Sequence, residues 1–330
     1  MKKISLCTPC YNEDGNVEAL YAAVKKVMES LPQYEFEYIL IDNASQDRTA
    51  ELLKEICKKD PRVKLIVNQK NFGPGRSGTH GFLQSTGDAT ISFAADLQDP
   101  PEMIPQFLEK WEQGAKVVWG RKKGDEEKGL IKLCRKAYYS MIQMFSTDKQ
   151  YANVTGFGLY DKEVMDLIRW VDDPIPNTHH LIADFGYEVE FIDYVKPNRM
   201  AGKSSYNFWR YYETAMDSLV STSVAPLRLI AMAGMVGAAL CFLVAMVYLI
   251  LKLIFWDAFS VGMAFVVIAL FFLGFVQMFF TGLLGEYIGS IVTRIKKRPK
   301  VVEKERINFK NGFYTAQEAK TEEKVTAEVN

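Results

Sequence analysis

The sequence predicts an α/β protein: a doubly wound, mostly parallel sheet followed by an interfacial helix and two transmembrane helices. Three observations carry this expectation. Residues 1–120 alternate short apolar runs with helical periods, the pattern of strands joined by crossover helices. Each of the five apolar runs ends in a polar or glycine-containing loop. Two long uncharged runs then follow toward the C-terminus.

The strand candidates, in order, are Ile4–Thr8, Phe36–Ile41, Val63–Val67, Thr90–Ala95 and Lys116–Trp119. Between the first two, Val17, Leu20, Val24, Val27 and Leu31 recur at helical spacing, with Asn16 as the expected N-cap. Leu52, Leu53, Ile56 and Cys57 predict a second helix. Ile104, Phe107, Leu108 and Trp111 predict a third, entered through Pro100 and Pro101. The loops Pro9–Glu13, Asp42–Asp47, Asn68–Arg76, Asp96–Asp99 and Gly120–Arg121 then fall at the carboxyl ends of the strands, where open α/β sheets bind ligands. One polar loop fits any solvated surface; five on one edge predict a nucleotide-sized site.

Leu229–Leu251 carries no charge between Arg228 and Lys252 and reaches about 34 Å as a helix, enough to cross a bilayer core. Ala258–Gly285 is a second such run, between Asp257 and Glu286, and the short linker Lys252–Asp257 predicts a tight hairpin. A buried helical pair in a soluble core is the alternative, and two adjacent runs of this length count against it. Arg210 and Arg228 precede the spans, and Arg294, Lys296, Lys297, Arg298 and Lys300 follow them, so the positive-inside rule places both ends in the cytoplasm. The N-terminal MKKISLCTPCYNE has no apolar run behind its lysines and is not expected to be a signal peptide. Tyr206, Phe208, Trp209, Tyr211 and Tyr212 crowd one stretch, which reads as an interfacial helix with aromatic anchors or as an ordinary packing helix.

The expected layout is a cytoplasmic domain over 1–203, an amphipathic juxtamembrane segment over 204–227, a two-helix hairpin over 228–290, and a basic collar with a cytoplasmic tail over 291–330. The tail is polar from about Val301 and is expected to be poorly ordered. The expected location is the cell (inner or plasma) membrane, as a two-pass protein. Gly234 and Gly237, with Gly282, Gly285 and Gly289, could support a homo-oligomer or pack the hairpin itself.

Composition sets outer limits. Lys plus Arg number 40 and Asp plus Glu 40, so the formal net charge is zero, which argues against a nucleic-acid binder. Five cysteines are too few for a disulfide scaffold. A mean hydropathy of −0.06 averages a polar domain with the two spans.

Gly73-Pro74-Gly75-Arg76-Ser77-Gly78 fits the dinucleotide fingerprint G-x-G-x-x-G, but it follows the third strand, and Asn68–Phe72 intervenes. No P-loop motif is present. Cys7-Thr8-Pro9-Cys10 has redox spacing but lies on a strand and has no second cysteine pair, so a packing role is favoured. Asp96-Leu97-Gln98-Asp99-Pro100-Pro101-Glu102 offers oxygen ligands at alternate positions, suited to a hard cation such as Mg²⁺ or Mn²⁺. It fits an acidic helix N-terminus equally well.

Taken in order and at these spacings, Pro9-Cys10-Tyr11-Asn12-Glu13, Ile41-Asp42-Asn43-Ala44-Ser45-Gln46-Asp47-Arg48-Thr49, Asn71-Phe72-Gly73 and Ala95–Glu102 resemble the inverting family 2 glycosyltransferases of the A-type fold. More narrowly they resemble polyprenyl-phosphate glycosyltransferases, the dolichyl-phosphate mannose synthases and bactoprenol glucosyltransferases, including the branch with a C-terminal two-helix hairpin. The resemblance covers residues 1 to about 300. It implies that Pro9, Tyr11, Glu13 and Asp42 hold the uridine of a nucleotide sugar and that Asn71 and Arg76 help place the donor. It implies that Asp96 and Gln98 hold Mg²⁺ or Mn²⁺ on the diphosphate. It implies that Arg121, Arg199 and Lys203 contact the acceptor phosphate, so that Asp96, Gln98 and Arg121 form the catalytic set. The expected reaction moves a sugar, UDP-glucose or UDP-GlcNAc being the expected donors, to undecaprenyl phosphate with inversion, for cell-envelope glycan modification.

Three positions depart from the family pattern. Ala94 replaces the first aspartate of an Asp-Ala-Asp motif, Gly156 stands where some relatives have an acidic residue, and His179 stands where some have arginine. These motivate a second reading, a catalytically weakened membrane partner. A nicotinamide-dependent oxidoreductase built on the Gly73–Gly78 loop is the third.

Overall fold

The computed structural model describes residues 1–123, 154–171, 178–195, 197, 263–295 and 299–310, together with scattered positions between 227 and 254. The chain divides into two compact units, the first made of Met1–Gly129, Gln150–Ser205 and Lys297–Asn330, the second of Leu130–Lys149 and Tyr206–Lys296.

The first unit holds an eight-stranded sheet. Its elements run β1 (Lys2–Cys10), α1 (Val17–Ser30), β2 (Tyr34–Asp42), α2 (Thr49–Lys59), β3 (Val63–Asn68), α3 (Pro74–Leu83), β4 (Ala89–Ser92), a 3₁₀ turn (Pro101–Met103), α4 (Ile104–Glu112) and β5 (Val117–Lys122). Then come β6 (Val154–Asp161), α5 (Lys162–Val171), α6 (Thr178–Asp184), β7 (Val189–Tyr194) and, after the second unit, β8 (Glu303–Ile307). The order across the sheet is β7-β5-β6-β4-β1-β2-β3-β8. The β1–β2, β1–β4, β2–β3 and β5–β7 pairs are parallel, while β4–β6, β5–β6 and β3–β8 are antiparallel.

The sheet is wound on both faces, as expected. Leu20, Val24 and Val27 of α1, Leu53 and Ile56 of α2, and Ile104, Phe107 and Leu108 of α4 join Ile4, Leu6 and Leu40 in one core. Phe82 of α3, Val164, Met165 and Ile168 of α5, and Ile182 of α6 join Cys7, Ile39 and Trp119 in the other. Phe36–Asp42 of β2 is buried throughout, which fits a central parallel strand covered on both faces.

Local chemistry explains several boundaries. Asn16 was expected as the N-cap of α1; it makes no side-chain cap bond, and its amide instead donates to Glu13 Oε2 at 2.6 Å. α3 is capped by Gly73, whose φ of +85° suits glycine, and starts with Pro74 in its first turn. β4 stops at Ser92, short of the predicted Ala95. The apolar run continues, but the Ala94 N–H donates to the Asp99 carboxylate at 3.1 Å rather than to a strand, so the chain turns. β6 and β7 were not among the predicted strands.

The expectation of a poorly ordered tail from Val301 is corrected for residues 301–310; residues 311–330 lie outside the described residues. Val301 is buried, and Glu303–Ile307 pairs antiparallel with β3, Leu65 facing Ile307 and Asn68 facing Glu303 across a bulge. A Glu-Lys-Glu-Arg strand at a sheet edge also blunts that edge against further pairing.

One crowded position gives a direct test. A Cβ on Gly158 would lie 2.5 Å from Trp119 Cδ1 and 2.7 Å from the Val118 carbonyl oxygen. The carbonyl belongs to the paired strand and cannot yield. Gly158→Ala is expected to destabilise the domain by about 1–3 kcal/mol, read as a lower midpoint in chemical denaturation.

In the second unit, α7 (Met263–Ile295) runs 33 residues, about 50 Å at about 1.5 Å per residue. Its segment Phe272–Gly289 is long and apolar enough to cross a membrane by length and composition. Leu270, Phe272 and Met278 are exposed. Only part of the first predicted span, Leu229–Leu251, is described, and its described positions, such as Met232, Val236, Leu240 and Leu243, are helical. The aromatic stretch Tyr206–Tyr212 and the linker 255–257 lie outside the described residues.

Candidate active site

β1 is flanked by β2 on one side and β4 on the other, so the winding of the sheet reverses between β1 and β4. In open α/β sheets the crevice beyond the carboxyl ends at such a reversal is where ligands bind. The loop Pro9–Glu13 leaves β1 on one side of this crevice, and Asp96–Asp99 follows β4 on the other.

The β1 loop is laced to the β2 loop. Asn12, at φ +54°, donates its N–H to Ser45 Oγ at 3.0 Å, and its Oδ1 accepts from the Gln46 N–H at 2.8 Å. The Glu13 N–H donates to Thr49 Oγ1 at 2.8 Å. Pro9, Tyr11 and Glu13 are all half-buried along this ridge. Asp42 is buried at the end of β2, where its carboxylate accepts the Ser45 N–H at 3.1 Å and the Ser45 hydroxyl. Burial raises its pKa above the usual carboxylate range despite those bonds. Asp42 therefore shapes the turn through Ala44, at φ +58°.

The predicted Asn71 and Arg76 belong to a second network. Asn43 Nδ2 donates to Asn71 Oδ1 at 3.0 Å, and Asn71 Oδ1 also accepts the Gly73 N–H at 2.8 Å. Asn43 Oδ1 accepts from Asn68 Nδ2 at 3.2 Å and from the Phe72 N–H at 2.9 Å, and Asn68 donates to Ser77 Oγ at 2.9 Å. These bonds tie the end of β2 to the loop that opens α3. Arg76 lies over the Phe72 ring at 5.6 Å and donates to the Pro299 carbonyl at 2.9 Å.

Asp96 is 9% exposed and sits in a tight turn in which Leu97 has φ +57°. Its Oδ1 accepts the Gln98 N–H at 3.2 Å. Asp99 is committed elsewhere: Tyr194 donates its hydroxyl to Oδ1 at 2.8 Å, and the Ala94 N–H bonds Oδ2. Burial raises the pKa of Asp99. Among the described residues no group of three or more His, Cys, Asp or Glu side chains stands ready for a metal. One carboxylate and one amide oxygen on a single turn fit a Mg²⁺-like cation that takes its remaining ligands from phosphates and water. They do not fit an ion that needs an all-protein cage.

Arg121, on the exposed end of β5, forks onto Asp193 of β7, its Nε and Nη2 donating at 2.6 and 3.2 Å. Hydrogen bonds from Arg121 and Lys123 hold the Asp193 carboxyl down at about 2. An incoming phosphate would compete with this carboxylate for the same planar fork. Arg199 and Lys203 lie outside the described residues. The structure thus brings the β1, β2 and β3 loops together by hydrogen bonds and places the Asp96 turn across the crevice from the β1 loop.

Cys7 and Cys10 face opposite cores, and burial pushes both thiols well above their ordinary range, as inert packing residues require. Sequence reasoning missed Asn43, Asp193, Tyr194 and Pro299. For Asp193 and Tyr194 the available signal was the β-branched and aromatic content of Val189–Tyr194, diluted by Glu190 and Asp193; for Pro299 there was none.

Known proteins share this sequence pattern. The family model described as Glycosyl transferase family 2 matches residues 5–168. The SfII prophage-derived bactoprenol glucosyl transferase of Shigella flexneri is 32% identical over 303 residues, covering 91% of this chain and 97% of that protein. The undecaprenyl-phosphate 4-deoxy-4-formamido-L-arabinose transferase of Proteus mirabilis is 30% identical over 306 residues, covering 91% and 92%. Among solved structures, a mannosyltransferase of Pyrobaculum calidifontis, in complex with GDP-Man and Mn²⁺, aligns over 90% of this chain and 88% of that one, at 14% identity and a TM-score of 0.47.

Proposed function

The chain belongs to glycosyl transferase family 2, and on that premise we propose that it transfers a sugar from a nucleotide sugar, UDP-glucose or UDP-GlcNAc, to undecaprenyl phosphate with inversion, for modification of a cell-envelope glycan. The observation that carries this reading is the Asp96–Gln98 turn standing across the β1/β4 reversal from the Pro9–Glu13 loop. The similarity to transferases whose names specify bactoprenol and undecaprenyl phosphate supports the acceptor.

In this reading Pro9, Tyr11, Glu13 and Asp42 bound the nucleoside, and Asn71 and Arg76 place the donor. A Mg²⁺ or Mn²⁺ ion held by Asp96 and Gln98 would supply Lewis-acid neutralisation of the departing diphosphate. Arg121, with Arg199 and Lys203, steadies the acceptor phosphate. That phosphate is the nucleophile and needs no strong base, because its second pKa lies near 6. Gly156 in place of a carboxylate is therefore compatible with turnover. Attack from the face opposite the diphosphate inverts the anomeric carbon.

The same reading makes the protein a two-pass membrane protein with both termini cytoplasmic, and keeps the layout 1–203, 204–227, 228–290 and 291–330. An interfacial segment before the hairpin would hold the site at headgroup height, where the acceptor presents its charge.

The test is a donor panel. Membranes carrying the protein, given labelled UDP-glucose or UDP-GlcNAc, polyprenyl phosphate and Mg²⁺, are expected to yield a labelled lipid extractable into butanol. Donor binding by calorimetry with no labelled lipid from any donor would point instead to a catalytically weakened partner, the reading motivated by Ala94, Gly156 and His179.

A further inference from the structure

A relay of side-chain amides joins the ends of β2 and β3 to the loop that opens α3. Asn68, 1% exposed, donates Nδ2 to Ser77 Oγ at 2.9 Å and to Asn43 Oδ1 at 3.2 Å. Asn43, 4% exposed, extends the relay, its Nδ2 donating to Asn71 Oδ1 at 3.0 Å. The Asn43 backbone N–H donates to the Cys10 carbonyl at 2.9 Å, so the same residue also holds the start of the β1 loop. Asn71, at the end of the relay, is exposed.

The backbone fixes the direction of these amides. A peptide N–H donates and cannot accept. The Phe72 N–H bonds Asn43 Oδ1 at 2.9 Å, and the Gly73 N–H bonds Asn71 Oδ1 at 2.8 Å. The oxygen of each carboxamide therefore faces a peptide N–H, and the nitrogen takes the other branch. The Asn43 nitrogen then meets Asn71 Oδ1. That oxygen is engaged twice, by Gly73 and by Asn43, which leaves Asn71 Nδ2 turned away from both. Among the described residues this nitrogen has no bonding partner. Turning the Asn71 amide over would set its NH₂ group against two other N–H donors and lose both bonds. The relay thus directs a pure hydrogen-bond donor outward from the loop.

We propose that Asn43 is a positioning residue for the nucleotide sugar: it holds the Asn71 oxygen inward, so that Asn71 Nδ2 presents its N–H groups to an acceptor oxygen of the donor, a phosphate oxygen or a nucleobase carbonyl. The proposal rests on the transferase reading and deepens it. Asn43 is itself buried and acts through Asn71.

The experiment uses the full chain in detergent with Mg²⁺. Calorimetry measures binding of UMP, UDP, UDP-glucose and UDP-GlcNAc, and the labelled-lipid assay measures transfer to polyprenyl phosphate. Asn71→Asp keeps an oxygen for the Gly73 N–H and for Asn43 Nδ2 and exchanges only the outward nitrogen for oxygen. It is expected to weaken binding of the nucleotide sugar by about 10–100-fold, and Asn71→Ala by about 3–10-fold. Asn43→Asp keeps the oxygen that accepts from Phe72 and Asn68 but turns an acceptor on Asn71 Oδ1. It is expected to raise KM for the nucleotide sugar by about 3–10-fold, with kcat and the KM for polyprenyl phosphate held within about twofold. In the Asn71→Ala background the same change is expected to add no more than about twofold. Asn43→Ser, uncharged, is the second variant for this cycle, and melting temperatures are measured for all. A loss seen already with UMP would place the contacted oxygen on the nucleoside monophosphate, and a loss first seen with UDP would place it on the outer phosphate; both support the proposal. Asn71→Asp that binds the nucleotide sugar as the wild type does would overturn the outward donor. A KM effect of Asn43→Asp or Asn43→Ser that persists in full in the Asn71→Ala background would overturn the route through Asn71. Wild-type protein that binds none of these nucleotides would overturn the transferase reading itself, and this inference with it.

Discussion

Asp96→Asn is expected to lower the rate of sugar transfer by on the order of 10²–10³-fold, the typical cost of removing one electrostatic contact made to developing charge. The substitution is chosen to isolate charge. Asparagine keeps the volume of the side chain and an oxygen that can accept the Gln98 N–H, so the turn at Leu97 has what it needs to form. What it removes is the single carboxylate of the proposed two-ligand set. A hard cation holds weakly to an amide pair alone, so the variant is also expected to need a much higher Mg²⁺ or Mn²⁺ concentration for half-maximal rate. Chelation of the wild-type protein should abolish transfer, and added Mg²⁺ or Mn²⁺ should restore it. Asp99→Asn is the informative contrast. Its two oxygens are engaged by Tyr194 and by the Ala94 N–H, so the loss should fall on stability, with little change in metal requirement. Full activity in Asp96→Asn would mean that the cation, or the whole donor site, lies elsewhere.

The contrast between Asp96 and Asp99 marks a limit of what the sequence discloses. Both belong to one acidic segment, and periodicity cannot separate them. The separation comes from Tyr194, almost a hundred residues away in the chain, on a strand whose partner is β5 rather than β4. The five parallel strands were legible because most of their residues are buried and apolar, most plainly in Tyr38-Ile39-Leu40-Ile41. The site loops were legible for the same reason: a polar group ends each run on one edge. β6 and β7 were not, because their polar and glycine residues dilute the apolar pattern. β8 was the hardest. A Glu-Lys-Glu-Arg segment has the composition of a solvated tail, and its strand conformation exists only because the edge of β3 offers unpaired backbone groups.

Glu303→Ala is expected to destabilise the first unit by about 3–5 kcal/mol, the cost of breaking a buried ion pair by removing one partner. Glu303 accepts from His80 Nε2 at 2.7 Å and from Arg306 Nη2 at 2.6 Å, and the side chains of Glu303 and Arg306 are only 5% and 6% exposed. Without the carboxylate, the Arg306 guanidinium keeps Gln84 Oε1 at 2.9 Å but has no counter-ion among the described residues, in a place water barely reaches. Burial by itself raises the Glu303 pKa, but the bonds from His80 and Arg306 outweigh it and hold the group below the ordinary glutamate range. The sign of the pH effect follows. A carboxylate depressed in the folded state contributes its full stability above its unfolded pKa, about 4.3, and loses it as the pH falls through the folded value. The difference in melting temperature between wild type and Glu303→Ala should therefore be constant near neutrality and shrink below about pH 4; a gap that persists unchanged in acid would assign the loss to packing instead. Activity should follow as well. Gln69 donates to the Val302 carbonyl at 2.8 Å, and Arg76 to the Pro299 carbonyl, so the strap that Glu303 anchors also holds the start of the donor loop. Loosening it is expected to raise KM for the nucleotide sugar more than it lowers kcat, because in the proposed reading the strap supports Asn71 and Arg76, which would place the donor, rather than Asp96 and Gln98.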